Sequence, residues 1–437
     1  MMQRLFVLFV AMLFAVEGWS QGENNIWTFG DQDGLNFNGG GPVYYRDSMY
    51  SYEGCASVCD GTGKLLFYSD GQYVYNRNHV AMPNSGGLVG HKRSSTQGVG
   101  IAKIPGYDSL YYLFMVEAWE QKTGKLRYSQ IDMTLDGGLG DIVFGKKDIV
   151  LDSAMSEKMA FAGVCGQPWL ITHHKDSAKF YAYKINSPAT IGAPVVSFCG
   201  LYNSPWAYGY GEMKVSGNAN RIAVANPSKI ELYDFDESSG LVSNYMPIDT
   251  SLTVKYGIEF SPDMSKLYAT EGLMQYDLSL PTLKEITDSK ISLDPASSVF
   301  SALRTGPDDK IYFVGPLGSI FSRIEFPNLA DTFCRVKYAF IPDRPSPKKA
   351  YIGIGLNAFI PKNKLGDTVI HVSEKKLCTG DTLRIKGYGY KYYNWSDGDT
   401  SAVKKLYKPG KVWLVSRINC IVNIDTYMIK VLPAVTS

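Results

Sequence analysis

The chain has 437 residues, more than one ordinary core accommodates, so two domains or one large repeat array are expected. Its 44 basic and 42 acidic residues leave a formal charge of +2, which excludes the global electrostatic footprint of a nucleic-acid binder or a polybasic membrane-surface protein. With 30 Tyr, 43 Gly and no long Ala/Leu/Glu/Lys stretch, the composition favours an almost entirely β protein.

Met1-Met2-Gln3-Arg4 is a short basic region, Leu5 to Val16 is apolar but too short to cross a bilayer, and Gly18-Trp19-Ser20 supplies small residues at a cleavage site. Residues 1–20 therefore read as a signal peptide, and the mature chain is expected to be exported. No Cys sits at the junction, and no later run is long enough for a transmembrane helix. Export makes disulfides the default use of Cys55, Cys59, Cys165, Cys199, Cys334, Cys378 and Cys420, an odd set without paired C-x-x-C spacing.

In "DQDGLNFN", Asp31, Asp33, Asn36 and Asn38 place oxygen ligands at close intervals, an arrangement that would hold a structural Ca²⁺ in a loop. No Glu completes an EF-hand, and an Asx-rich turn is the competing reading. No other cofactor is expected.

A strand–turn–strand unit then recurs. Counterparts of one strand begin at Leu65 (LLFYS), Leu110 (LYYLF), Trp169 (WLITH), Arg221 (RIAVA), Lys266 (KLYAT) and Lys310 (KIYFV), at spacings of 45, 59, 52, 45 and 44 residues. A further strand follows each, from Tyr73, Leu126, Lys179, Ile230, Leu273 and Ile320. Self-similarity at roughly 40–50 residues with about four short strands per unit is the signature of a β-propeller. Six units are explicit over residues 25–361; the segment Asn25 to Tyr45 and the segment Tyr351 to Pro361 are each too short for a blade but together supply a seventh. The expectation is a seven-bladed propeller, with six blades the alternative. Tyr68, Tyr112, Phe114, Tyr181, Tyr268 and Tyr312 read as packing between blades.

Within the array, His173 and His174 are adjacent on a strand, so their rings point to opposite faces and read as a solvated edge pair. "YNSPWAYGYGEM" gathers Trp206, Tyr208 and Tyr210 in a Gly/Pro-rich loop ahead of a blade, where exposed aromatics suit a glycan or peptide. Glu117 and Trp119 are assigned to a different edge or face. Lys362 to Gly366 reads as a linker, and residues 367–434 as a small immunoglobulin-like sandwich of short alternating strands. Cys378 and Cys420 are its only cysteines and are expected to bridge.

Several segments resemble one family. "WTFGDQDGLNFNGGGPV", "EGCASVCDGTGKLLFYSDGQYVYNRNHVAMPNSGGLVG" and "SSTQGVGIAKIPGYDSLYYLF" are similar to the N-terminal propeller of large surface proteins from gliding, type IX-secreting Gram-negative bacteria. "GIGLNAFIP" resembles that propeller's closing strand, and "LCTGDTLRIKG" through "KPGKVWLVSRINC" resembles the Ig-like or PKD-like modules that follow it. The family's usual C-terminal sorting domain is not matched before Ser437. The resemblance implies a cell-envelope scaffold, in the periplasm, at the cell surface or outside the cell, whose partner is a protein or glycan. It also implies O-glycans at Asp-Ser/Thr motifs followed by a small or aliphatic residue, here at Ser48, Ser109, Ser153, Ser177, Thr368 and Thr382, most of them in turns.

For chemistry, H-E-x-x-H, G-x-S-x-G and P-loop patterns do not occur. The leading expectation is a non-enzymatic binding protein. The alternative is a glycan-active propeller, hydrolase or lyase, which needs two facing carboxylates; Glu53, Glu117, Glu212 and Glu259 lie near the right strand boundaries.

Overall fold

The computed structural model describes residues 22–432 except 91–93, 164–167, 202–208, 252, 271, 295–300, 315–320, 339–367, 379–381, 387–391 and 419–420. The expected signal peptide, linker and closing segment Tyr351 to Pro361 lie outside the described residues. The first 27 strands form seven antiparallel sheets in chain order. Sheet 1 holds β1 (Ile26–Phe29), β2 (Asp31–Asn36) and β3 (Val43–Tyr50); sheet 2 holds β4 (Ala56–Cys59), β5 (Leu65–Ser69) and β6 (Val74–Asn76). Sheet 3 holds β7 (Val99–Lys103), β8 (Leu110–Val116), β9 (Leu126–Asp132), β10 (Asp141–Ile142) and β11 (Ile149–Asp152). Sheet 4 holds β12 (Met155–Ala162), β13 (Trp169–His174), β14 (Lys179–Lys184) and β15 (Val195–Phe198). Sheet 5 holds β16 (Met213–Val215), β17 (Arg221–Asn226), β18 (Lys229–Asp236) and β19 (Leu241–Asp249). Sheet 6 holds β20 (Ile258–Phe260), β21 (Lys266–Ala269), β22 (Met274–Asp277) and β23 (Ile291–Ser292). Sheet 7 holds β24 (Leu303–Thr305), β25 (Ile311–Val314), β26 (Phe321–Ile324) and β27 (Val336–Lys337).

Turn chemistry explains where the second strands start. Asp60 accepts hydrogen bonds from Thr62 N (2.8 Å), Thr62 Oγ1 (2.7 Å) and Lys64 N (3.0 Å), which reverses the chain just before Leu65. Asp263 repeats the device before β21, bonding Ser261 Oγ and Ser265 N. A lone meander cannot cover both of its faces, so every sheet shares its cores with its neighbours. Sheets 2 and 3 share one apolar core, 3 and 4 the next, then 4 and 5, 5 and 6, and 6 and 7. The last core joins sheet 1 to both sheet 2 and sheet 7 and closes the ring: Ile26, Trp27, Phe29, Leu35 and Met49 pack with Cys55, Leu65 and Tyr68 on one side and Tyr312, Val314 and Phe321 on the other. Trp27 stands edge-on to Tyr312 with centroids 5.6 Å apart, and Phe29 stacks on Phe321 at 5.5 Å. Ser57 Oγ donates to Ile26 O (2.6 Å) and ties sheet 2 to sheet 1. This ring of sheets is a β-propeller. The N-terminal segment, expected to supply part of a seventh blade, makes a three-stranded sheet that runs on to Tyr50, past the expected end at Tyr45.

The C-terminal part has two sheets. One pairs β28 (Thr368–Cys378), β33 (Ile421–Leu432), β32 (Gly410–Ile418) and β30 (Tyr392–Trp395); the other pairs β29 (Leu383–Lys386) with β31 (Val403–Leu406). They face each other across Ile385, Trp395, Leu406, Leu414 and Ile429. Cys378 pairs with Leu432 at the end of β28, and its expected bridge partner Cys420 lies outside the described residues.

Candidate functional site

Because strands alternate in direction, the loops that enter each inner strand and those joining second to third strands emerge at one end of the ring. That end carries Tyr52 and Glu53 before β4, Thr96 before β7, Trp119 and Lys122 between β8 and β9, Lys175 between β13 and β14, Tyr210 and Glu212 before β16, and Tyr256 before β20. Their convergence is held by a buried carboxylate. Glu157, on inner strand β12, accepts from Thr96 N (2.8 Å), Thr96 Oγ1 (2.7 Å) and Trp119 N (2.7 Å). Thr96 Oγ1 in turn accepts from Gly211 N (3.2 Å), while Gln97 exchanges bonds with Met213, Nε2 to O at 2.9 Å and N to Oε1 at 2.8 Å. A side chain at Gly209 would lie 3.0 Å from the Trp119 indole, so the Tyr210 loop rests directly on Trp119. Lys158 Nζ donates to Tyr210 O. The expectation that Trp119 sits on another face is thus corrected: its loop and the Tyr210 loop are neighbours. Trp206 and Tyr208 lie outside the described residues.

The electrostatics divide these groups. Burial, the Glu157 charge and Glu120 push the Glu53 carboxyl up to about 8 against a Tyr256 hydrogen bond, so it holds its proton at neutral pH. Burial also raises Glu157 and lowers fully buried Lys158 to about 7. Glu117 behaves oppositely: burial raises it, but hydrogen bonds from Thr123, Lys125 N (3.0 Å) and Arg127 (2.9 Å) outweigh that and leave it lowered. Glu212 and Glu259 flank Lys214 at 3.0 and 3.7 Å, and Lys214 also donates to Leu303 O at 2.8 Å. The second oxygen of Glu212 accepts from Ile258 N and Leu303 N, both at 3.1 Å, so one carboxylate binds three consecutive sheets. Of the four acids singled out, two are locked to Lys214 and one to Arg127, and burial also raises Glu212; Glu53 is the one pushed up to about 8.

Of the expected calcium ligands, Asp31, Asp33 and Asn36 stand on strand β2 and Asn38 in the turn that follows it. Asn36 accepts from Asn38 N (2.9 Å), and Asn38 is tied to Asn25 and to Gly63 O, each at 2.9 Å. Asp31 and Asp33 act elsewhere: after burial, they and Asp70 push Asp47 up to about 8. Among the described residues no group of three or more His, Cys, Asp or Glu side chains stands at metal-binding spacing. His173 is fully buried, edge-on to Phe180 at 4.6 Å, and lowered to about 3 by desolvation, which corrects the reading of a solvated pair. Of the modification motifs, Ser109, Ser153 and Ser177 are in turns or bends, Ser48 is exposed on β3 and not in a turn, Thr382 is exposed, and Thr368 opens β28. Sequence reasoning missed Glu157, Thr96, Lys214 and Tyr256. The available signal was a charge inside an otherwise apolar inner strand, as in "MSEKMAFA".

No family model and no curated protein matches the sequence. Among solved structures, Hsv2 of Kluyveromyces lactis is similar over 69% of this chain and 90% of its own, at 10% identity and a TM-score of 0.41. Sqt1 of Chaetomium thermophilum is similar over 53% of this chain and 59% of its own, at 17% identity and a TM-score of 0.34. At such scores the propeller assignment rests on this chain's own ring of sheets and shared cores. Among the described residues no helix is long and apolar enough to cross a membrane.

Proposed function

We propose that the protein is an exported, non-enzymatic binding scaffold of the cell envelope that engages a protein or glycan through the loop end of its propeller. The observation that carries this reading is the aromatic set at that end. Trp119 is anchored by Glu157 and backed by Gly209, while Tyr52 and Tyr73 are 45% and 40% exposed on neighbouring loops. Rigidly mounted, half-exposed aromatics offer contact area at small entropic cost. The export signal and the resemblance to gliding-bacterial surface proteins support an envelope location. An array of surface glycans and envelope proteins, probed with wild type and Trp119→Ala, tests the reading. A ligand whose binding is lost in the variant at unchanged Tm supports it; equal binding by both rejects this end as the site.

A second reading has one observation in its favour. A carboxyl protonated at neutral pH suits a general acid, and Glu53 is one, with the Glu157 charge acting on it. Glycan turnover that disappears in Glu53→Gln would replace the scaffold reading with an enzymatic one.

A further inference from the structure

We propose that the outward face of the β28-β33-β32-β30 sheet binds an anionic polysaccharide, with Trp413 as its stacking platform. Alternation along the strands fixes that face. Trp395, Leu414 and Ile429 point into the core between the two sheets, so their neighbours point out. Register then assembles the outward residues into rows. Val372, Thr426 and Trp413 lie side by side across three strands, and Glu374, Met428 and Lys411 form the adjoining row. Lys376 pairs with Lys430 in the row beyond.

The face is apolar at its middle and cationic at one end. Val372 is 71% exposed, Met428 42% and Trp413 38%, and Tyr392 at the β30 edge is 70% exposed. An exposed indole in the middle of a sheet costs solubility and marks a contact surface. Three ammonium groups, Lys376, Lys411 and Lys430, share the face with a single carboxylate, Glu374, which pairs with Lys430 at 2.7 Å. Two positive charges remain uncompensated on the face. The bias extends to the whole module: residues 367–434 hold eleven Lys and Arg against six Asp and Glu, a surplus of five that the near-neutral chain conceals. Indole beside ammonium is the pairing that a chain of acidic sugar rings requires. Ring C–H groups pack on the aromatic face, and carboxylate or sulfate groups meet the lysines. A purely apolar protein partner would leave the lysines buried without counter-charges, which is unfavourable. This site lies outside the propeller's loop end and does not depend on it.

The test uses the full chain and affinity electrophoresis in gels containing alginate, heparin or neutral dextran. We expect retardation by alginate or heparin, weakening as salt rises, and none by dextran. Trp413→Ala should lower the affinity about tenfold, in line with loss of a stacking platform, and Trp413→Tyr should restore most of it. Lys411→Ala should weaken binding and flatten its salt dependence, and Trp119→Ala should leave it intact, separating this surface from the propeller site. Wild-type Tm in every variant excludes misfolding as the cause. Absence of retardation by both acidic polymers overturns the proposal, as does unchanged binding by Trp413→Ala. So does equally tight binding of duplex DNA that needs Lys411 but not Trp413, which would mark a generic cationic patch.

Discussion

The two halves of the propeller ring use the same inner-strand position in opposite ways. Aligned by their partners on the second strands, sheets 2, 3 and 4 place Val58, Ala102 and Ala160 there, while sheets 5, 6 and 7 place Lys214, Glu259 and Arg304. In the first half the position packs into apolar cores: Ala102 and Ala160 are buried among aromatic and aliphatic neighbours. In the second half three charges of alternating sign follow one another around the ring, with Glu212 as a fourth and Lys214 between two acids. One backbone geometry therefore accepts two kinds of closure. The apolar version relies on shape. The charged version relies on every group keeping its partner, because a buried charge left alone costs far more than the pair contributes. Arg304 shows the cost of burial, which brings its guanidinium down to about 10 despite Glu259 and Glu212.

The difference is broken most severely by Lys214→Ala, which leaves Glu212 and Glu259 buried without their ammonium. We expect a loss of about 3–5 kcal/mol in urea unfolding. A milder effect should follow from removing two opposite charges together. The combination Glu212→Gln and Lys214→Met discards one charge of each sign, keeps an amide oxygen for the N–H groups of Ile258 and Leu303, and leaves Glu259 as the counter-charge of Arg304. Its loss should be smaller than that of Lys214→Ala alone; a larger loss would show that the network stabilises by more than mutual compensation. Smaller again is Ala160→Gly in the apolar half, where one methyl and some backbone order are lost, about 1 kcal/mol.

How much of this was legible beforehand follows from what each feature depends on. The starts of β5, β8, β13, β17 and β21 fall at Leu65, Leu110, Trp169, Arg221 and Lys266, the predicted residues, because local signals set them: apolar alternation and an Asp or Gly turn. The far end of sheet 1 was less legible than its start because β3 reads weakly, "VYYRDSMY" carrying Arg46, Asp47 and Ser48, and its inward position at Met49 is set by the core. The site was less legible still. Glu157 meets Thr96, 61 residues away, through ring geometry that no local pattern encodes.

The subtlest way to tell the halves apart is pH. In the charged half Asp249 is raised by burial but pulled well below the usual carboxylate range by Lys290 (2.7 Å), Tyr276 (2.6 Å) and Ser251. The folded state thus binds fewer protons here than the unfolded chain, so this contribution is present above about pH 4 and fades as pH falls further. On the other side, Asp47 in sheet 1 and Glu53 ahead of sheet 2 are raised to about 8 by burial and neighbouring acids. There the folded state binds more protons than the unfolded chain, so the contribution is present in acid and is lost as pH climbs from about 4 to about 8. Two opposing slopes predict a stability maximum on the acid side of neutrality. Urea midpoints across pH should rise from strong acid, peak in mild acid and decline toward 8. Asp47→Asn should flatten the decline, because its amide has no charge to expel, and Lys290→Ala should move the acid limb toward higher pH. Hydrogen exchange assigns the limbs to places: protection of β3 and β4 should weaken first in mild alkali, and that of β19 and β22 first in acid. If both regions lose protection together at both extremes, the two halves do not titrate separately, and the contrast between them is one of sequence alone.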